Sequence, residues 1–301
     1  MSASSLTVQP AVGVWSRLGD YVELTKPRIA LLELVVVAAA GFVATWGQPE
    51  PGPLIAAMLG TLLVAGSASA ANQWLERHRD ASMRRTALRP LAAGRLGDGE
   101  ACIFVTWTLI AGLAVLAVWA GRASAAWAAL SWVLYVLIYT PLKPYTTVNT
   151  AVGAVSGALP VLIGWSAVGT AVDARAIGLV LLLFLWQFPH FMAIAWLYRD
   201  DYARAGYQML TVVDPTGWRA GWQATLAALA LLPVSLVPVL AAPGLGSLAY
   251  GLAATGLGLG QLALSARFWY RPDATSARWL LKASLVYLPL LLVLLMLVPW
   301  I

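Results

Sequence analysis

Long apolar runs separated by short polar bridges repeat along the whole chain. Nine runs stand out, at about 29–46, 54–75, 101–120, 124–140, 148–169, 177–197, 221–241, 246–266 and 279–299. Most approach the ~20 apolar residues that a helix needs to cross a ~30 Å hydrocarbon layer. Backbone groups in lipid must be satisfied within their own segment, so runs of this length predict helices rather than barrel strands. The expectation is an all-α integral membrane protein with a bundle of nine transmembrane helices. The first sixteen residues hold no Lys or Arg and no apolar span. Residues 1–20 are expected to form a mobile N-terminal tail, and 21–301 a single membrane-embedded domain.

Composition agrees with the pattern: of 301 residues, 60% are hydrophobic and 11% charged, against about 25% charged in a soluble domain. One cysteine, Cys102, excludes an internal disulfide and any cysteine-only metal site. The net charge of +6 is not spread as a nucleic-acid footprint. Arg17, Lys26, Arg28, the six arginines from Arg77 to Arg95, Lys143, Arg199, Arg204, Arg219, Arg267, Arg271, Arg278 and Lys282 all fall on one predicted side. That makes seventeen, against Arg122 and Arg175 on the other side. The positive-inside rule then puts the N-terminus and the polar loops inside.

The stretch from Asn72 to Arg95 changes the picture from scaffold to chemistry. Asn72, Glu76 and Asp80 stand at i, i+4 and i+8. Each step of four turns a helix about 40° past a full turn and rises roughly 6 Å, so the three share a side. Carboxylates alone would repel a diphosphate, but carboxylates holding Mg²⁺ with arginines close by would clamp one. The bland alternative is a solvated helix end, with arginines that only set topology. A second polar cluster runs from His190 through Asp200 and Asp201 to Gly206, on the same predicted side. His190 is either a helix-packing hydrogen-bonder or a metal or haem-iron ligand. His78, between two arginines, is expected to face water. Pro189 is expected to kink or break its span. Glu33 lies just inside the first span, either at interfacial depth or in a site. Gly153 and Gly157 form a small-xxx-small pair whose expected role is helix packing.

The order of these motifs resembles the intramembrane UbiA-type prenyltransferase superfamily, in its haem-farnesylating branch. The resemblance rests on Asn72-xxx-Glu76-xxx-Asp80 with Met83-Arg-Arg-Thr-xx-Arg-Pro90 and Gly94-Arg95. It rests also on Thr25-Lys-Pro-Arg28, Tyr139-Thr-xx-Lys143, Asn149 to Trp165, Trp186-xx-Pro-His-Phe191, Asp200-Asp-Tyr-Ala-Arg-Ala-Gly206 and Ser284-Leu-xx-Leu-Pro289. It covers residues 21–297 and implies a helix bundle around a central lipid-accessible cavity, with the two polar clusters facing each other at one end. It implies that haem B, farnesyl diphosphate and water give haem O and diphosphate, on the way to the haem of terminal oxidases. Mg²⁺ is the implied cofactor, held by Asn72, Glu76, Asp80 and Asp201. Tyr139 and Lys143 are implied near the reaction, and Arg84, Arg85, Arg89, Lys143, Asn149, His190, Asp200 and Asp201 as substrate contacts. A bacterial inner membrane, cytoplasmic polar clusters, membrane lipid and a downstream haem A synthase follow as expectations, with no nucleic acid. Two features depart from the pattern: Glu76 stands where the superfamily most often has Asp, and no second Asp lies four residues from Asp201. The competing expectations are a sister enzyme acting on an aromatic quinone precursor, or a haem carrier or transporter without chemistry.

Overall fold

A computed structural model describes residues 14–240 and 244–301. Among them the elements are all helical: α1 (Val14–Leu24), α2 (Pro27–Ala44), α3 (Pro51–Asp80), α4 (Asp98–Val115), α5 (Arg122–Val133), α6 (Thr140–Leu142), α7 (Asn149–Ala158), α8 (Pro160–Ala167), α9 (Ala174–Leu197), α10 (Arg199–Arg204), α11 (Leu210–Val213), α12 (Trp218–Val234), α13 (Leu245–Tyr270) and α14 (Ala274–Leu297). Wider π-helical turns prolong α4 through Leu116–Ala120 and join α5 to α6 through Leu134–Tyr139. Nine helical runs among the described residues are long and apolar enough to cross a membrane. This is a multi-pass integral membrane protein.

Sequence signals account for most boundaries. Pro27 and Pro51 open α2 and α3 at first-turn positions, where a missing N–H costs nothing. Asp173 and Asp273 cap α9 and α14 with side-chain oxygens. Pro189 does not break α9, which runs through it to Leu197. Of the residues expected to form a tail, 1–13 lie outside the described residues, and from Val14 the chain is helical. Arg95 holds α1 in place by ion pairs to Asp20 and Glu23, both at 2.7 Å.

Outward faces are apolar and exposed, as at Ile103, Trp107, Leu248 and Leu252, which suits contact with lipid. The inward faces close on small residues. A Cβ on Gly164 of α8 would lie 2.1 Å from the Val37 carbonyl oxygen of α2, so these two backbones touch. The Gly153 and Gly157 pair does something different from the expected backbone approach. A Cβ there would strike the Tyr139 ring at 2.9 Å and the Gln187 side chain at 2.4 Å. Both glycines make room for side chains that line an internal cavity.

α3 matters most for the site. Its 30 residues span about 45 Å, longer than a ~30 Å hydrocarbon layer. An upright helix of that length carries its last turns beyond the apolar zone, and those turns hold Asn72, Glu76 and Asp80.

Candidate active site

The three side chains share one buried face of α3. Asn72, Glu76 and Asp80 are 2%, 5% and 1% exposed, so the solvated-helix-end alternative is excluded. Each meets a separate partner. Lys26 Nζ donates to Asn72 Oδ1 at 2.9 Å, and Asn72 Nδ2 donates to Thr140 Oγ1 at 3.1 Å. Lys143 Nζ donates to Glu76 Oε1 at 2.7 Å, and Arg89 Nη1 to Asp80 Oδ2 at 2.8 Å. The other Asp80 oxygen, Oδ1, is buried without a partner. An unpaired buried carboxylate oxygen is costly unless a cation completes it.

The cations converge. Burial, with Arg89 and Lys143 as cationic neighbours, pushes Lys26 down to about 7. Burial alone would also lower Lys143, but the charge of Glu76, with the hydroxyl groups of Tyr139, Tyr135 and Tyr207, outweighs it and holds the ammonium well above the usual lysine value. Lys26 sits in a left-handed backbone conformation, with φ 49°, a strain typical of functional sites. Sequence reasoning used Lys26 only for topology and as part of the Thr25–Arg28 motif. It missed Thr140 and Tyr207 as neighbours of the row. Their only signal is proximity to Tyr139 and to Gly206.

The second cluster packs onto the first through the loop after α3. Met83 lies in one apolar cluster with Ala205, Tyr207 and Met209. Arg85 donates to the Tyr202 hydroxyl at 3.4 Å and lies over the Tyr198 ring at 4.8 Å. Arg79 lies over Tyr207 at 5.8 Å. Asp201 is buried and bonded to Arg204. Asp200 is 87% exposed at its side chain and pairs with Arg199 rather than with any member of the first cluster. Arg84 is exposed. Asn149 is fully buried and ties two loops together, donating to the carbonyls of Thr146 and of Gln208, the latter at 3.3 Å. His78 is exposed, as expected.

Three elements pass directly from the polar row into an apolar cavity of about 390 Å³. From α3 come Ala65, Ala68 and Ser69, one turn before Asn72; from α2 comes Arg28, two residues after Lys26; Tyr139 precedes Thr140. Lys143 Nζ lies 4.6 Å from the centre of the Tyr139 ring, which therefore forms the boundary between charge and oil. Glu33, Trp132, Trp186, Gln187 and His190 also line the cavity, so Glu33 takes part in an interior site.

The donor set suits a hard divalent cation: carboxylate and amide oxygens, with ammonium and guanidinium groups now neutralising them. Asp80 Oδ1 is the oxygen that lacks a partner. Among the described residues no three acidic, histidine or cysteine side chains cluster tightly enough to hold a metal by themselves. Asn72 and ligand oxygens are thus needed to complete a shell, and Asp201 is engaged by Arg204 instead.

A buried oxygen-rich row, ringed by cations, beside an apolar cavity in a bundle with nine spans among the described residues defines a membrane enzyme for substrates with one anionic and one oily end. Residues 34–298 match the UbiA prenyltransferase family, and the chain belongs to that family. The protoheme IX farnesyltransferase of Koribacter versatilis is 40% identical over 303 residues, covering 96% of both chains. That of Rhodopirellula baltica is 45% identical over 211 residues, covering 70% of this chain and 74% of its own. Among solved structures, a UbiA homologue from Archaeoglobus fulgidus bound to GPP and Mg²⁺ superposes with a TM-score of 0.73. It is 16% identical and covers 94% of this chain and 100% of that one.

Proposed function

We propose that this chain is a Mg²⁺-dependent protohaem IX farnesyltransferase, converting haem B, farnesyl diphosphate and water into haem O and diphosphate. The observation that carries the chemistry is the buried Asn72–Glu76–Asp80 row, with its unpartnered Asp80 oxygen, beside Lys26, Arg89 and Lys143. The acceptor follows from the relatives: the Koribacter versatilis protein aligns over 96% of both chains and carries that activity in its name.

Asn72, Glu76 and Asp80 would hold Mg²⁺, with Asp201 reaching it only after leaving Arg204. The metal, when bound, would supply positive charge to a leaving diphosphate. Lys26, Lys143 and Arg89 bind phosphate oxygens, and Arg84 and Arg85 reach them from the loop that follows α3. Lys143 and Arg89 then exchange a carboxylate partner for a phosphate one, which keeps every buried charge paired. The allylic C–O bond breaks with its electron pair going to diphosphate. Tyr139 presents its ring where the farnesyl carbon becomes cationic. The haem vinyl π electrons form the new C–C bond, and water closes the remaining cation, losing a proton. The apolar walls keep bulk water from the farnesyl cation before that step. Asn149 serves by fixing the loops at 146 and 208 that carry Tyr207. Asp200 faces solvent and would contact substrate only at the outer edge.

The reading includes an inner-membrane location with both clusters cytoplasmic, and delivery of product to a haem A synthase. Purified protein in lipid, given haem B, farnesyl diphosphate and Mg²⁺, should yield a haem heavier by a farnesyl group plus water. A chelator should abolish it. Farnesylation of a hydroxybenzoate instead of haem would move the chain to a quinone-precursor enzyme.

A further inference from the structure

The proposed chemistry uses the polar row and the cavity's bulk but leaves several cavity side chains without a task, and one of them, His190, carries a bare nitrogen. His190 of α9 lies on the cavity wall, stacked on Trp186 with ring centroids 4.9 Å apart. Its Nδ1 is 2.9 Å from Ser284 Oγ of α14. Ser284 has one hydroxyl proton, and Oγ also lies 2.8 Å from the Leu281 carbonyl of its own helix. A carbonyl can only accept, so the serine proton goes there. Ser284 Oγ therefore accepts from His190 Nδ1–H. Trp186 Nε1 donates to the Ser284 carbonyl at 2.8 Å, which fixes the stacked ring against the same residue. The imidazole is thus held on one face by a ring and at one nitrogen by a hydroxyl. Its tautomer leaves the Nε2 lone pair free, and Nε2 has no protein partner among the described residues. A histidine whose outer nitrogen is anchored and whose inner nitrogen is bare has the arrangement of a metal-ligating imidazole.

We propose that His190 Nε2 is an axial ligand to the iron of the haem substrate, with Ser284 as the positioning residue. The inference rests on the haem reading above and adds the point at which the porphyrin is pinned. Among the described residues no other imidazole, thiol or thioether lines the cavity. Coordination at His190 would fix the porphyrin centre, leaving the periphery to turn a vinyl group toward the Tyr139 end of the cavity. A quinone precursor has no iron and would gain nothing from this side chain.

The chain has two histidines, and the other, His78, is exposed on α3. This makes the test clean. Full-length protein is loaded with haem B in detergent, and ligation is read by magnetic circular dichroism of the ferric form and by the Fe–His stretch of the ferrous form. His78→Ala, which leaves His190 as the only imidazole, should keep the histidine signature. His190→Ala should lose it and recover it with millimolar imidazole. Ser284→Ala should retain haem but shift the Fe–His stretch, because the ring loses its anchor. Farnesyl transfer is measured on the same samples. A His78→Ala protein that binds haem and turns it over without any histidine signature would overturn the inference while sparing the transferase. Unchanged spectra in His190→Ala would do the same. Wild-type protein that binds no haem would remove both readings together. The His78→Ala arm decides the question even where His190→Ala is not recovered folded.

Discussion

Asp80 gives one oxygen to Arg89 and leaves the other bare in a buried site. Asp80→Asn keeps the shape and a carbonyl oxygen for Arg89 but removes the charge. Initial rates under saturating substrates should fall by ~10²–10³, the usual loss when one charge-stabilising group is removed. An unchanged rate across a Mg²⁺ titration would retire Asp80 as a ligand. Lys143 is a different case. Lys143→Met strands Glu76, whose side chain is 6% exposed. Removing one partner of a buried pair costs ~3–5 kcal/mol, so the apo protein should melt markedly earlier. Adding Mg²⁺ with diphosphate should return much of that loss, and Glu76→Gln in the same chain should too. A melting temperature equal to wild type in both conditions would show that Glu76 is not compensated by Lys143. At this scale the sequence made the row legible, because i, i+4, i+8 is a property of one helix. The partners were not: Lys26, Lys143 and Thr140 lie 46, 67 and 68 residues from the side chains they meet. Periodicity within a segment carries no record of which distant segment packs against it.

Spans were legible for the same reason that single partners were not, since membrane crossing depends on local composition. All nine expected runs correspond to observed helices, with ends moved by a few residues. What stayed hidden was irregularity that apolar composition does not mark. The π-helical turn at Leu134–Tyr139 is an unbroken apolar run in sequence, yet it precedes Thr140 and Lys143 and sets where they meet α3. α1 was hidden because eleven amphipathic residues fall well below span length. Glycine spacing was legible as packing, but whether a backbone or a side chain fills the gap was not. Gly164→Ala places a methyl 2.1 Å from the Val37 carbonyl oxygen, which only movement of α2 against α8 can relieve. Overpacking of this kind costs ~1–3 kcal/mol or more. Gly260 of α13 is exposed with nothing within 4 Å of the added methyl. Gly260→Ala should be neutral or gain up to ~1 kcal/mol from reduced backbone freedom. Thermal unfolding of the two variants in one detergent compares them directly, and equal melting points would deny the close α2–α8 contact.

At the scale of the whole molecule the charge asymmetry and the site are one arrangement. Lys26, Arg79, Arg84, Arg85, Arg89 and Lys143 belong to the side that carries seventeen of the nineteen basic residues. Each of them lies on or beside the loops that frame Asn72, Glu76 and Asp80. On the proposed reading, the charges that orient the chain during insertion also form the anion-binding end. A diphosphate with its counter-cation does not cross a hydrocarbon layer unaided, because its charge would be stripped of water. The site must therefore open to the compartment where the diphosphate is made. Orientation becomes a test of mechanism. With Cys102 replaced by serine, the chain has no thiol left. A single cysteine at Ala203, exposed beside Asp201, and another at Ala171, exposed between α8 and α9, then report opposite faces. In intact cells with the outer envelope opened, a membrane-impermeant maleimide should label Ala171→Cys and spare Ala203→Cys until the inner membrane is permeabilised. The reverse pattern would put the polar row on the side without cytosolic prenyl diphosphate, and would sink the proposed donor together with the orientation. Labelling at both positions before permeabilisation would show that the two loops share a face, which an odd number of crossings between them forbids: α9 alone separates Ala171 from Ala203.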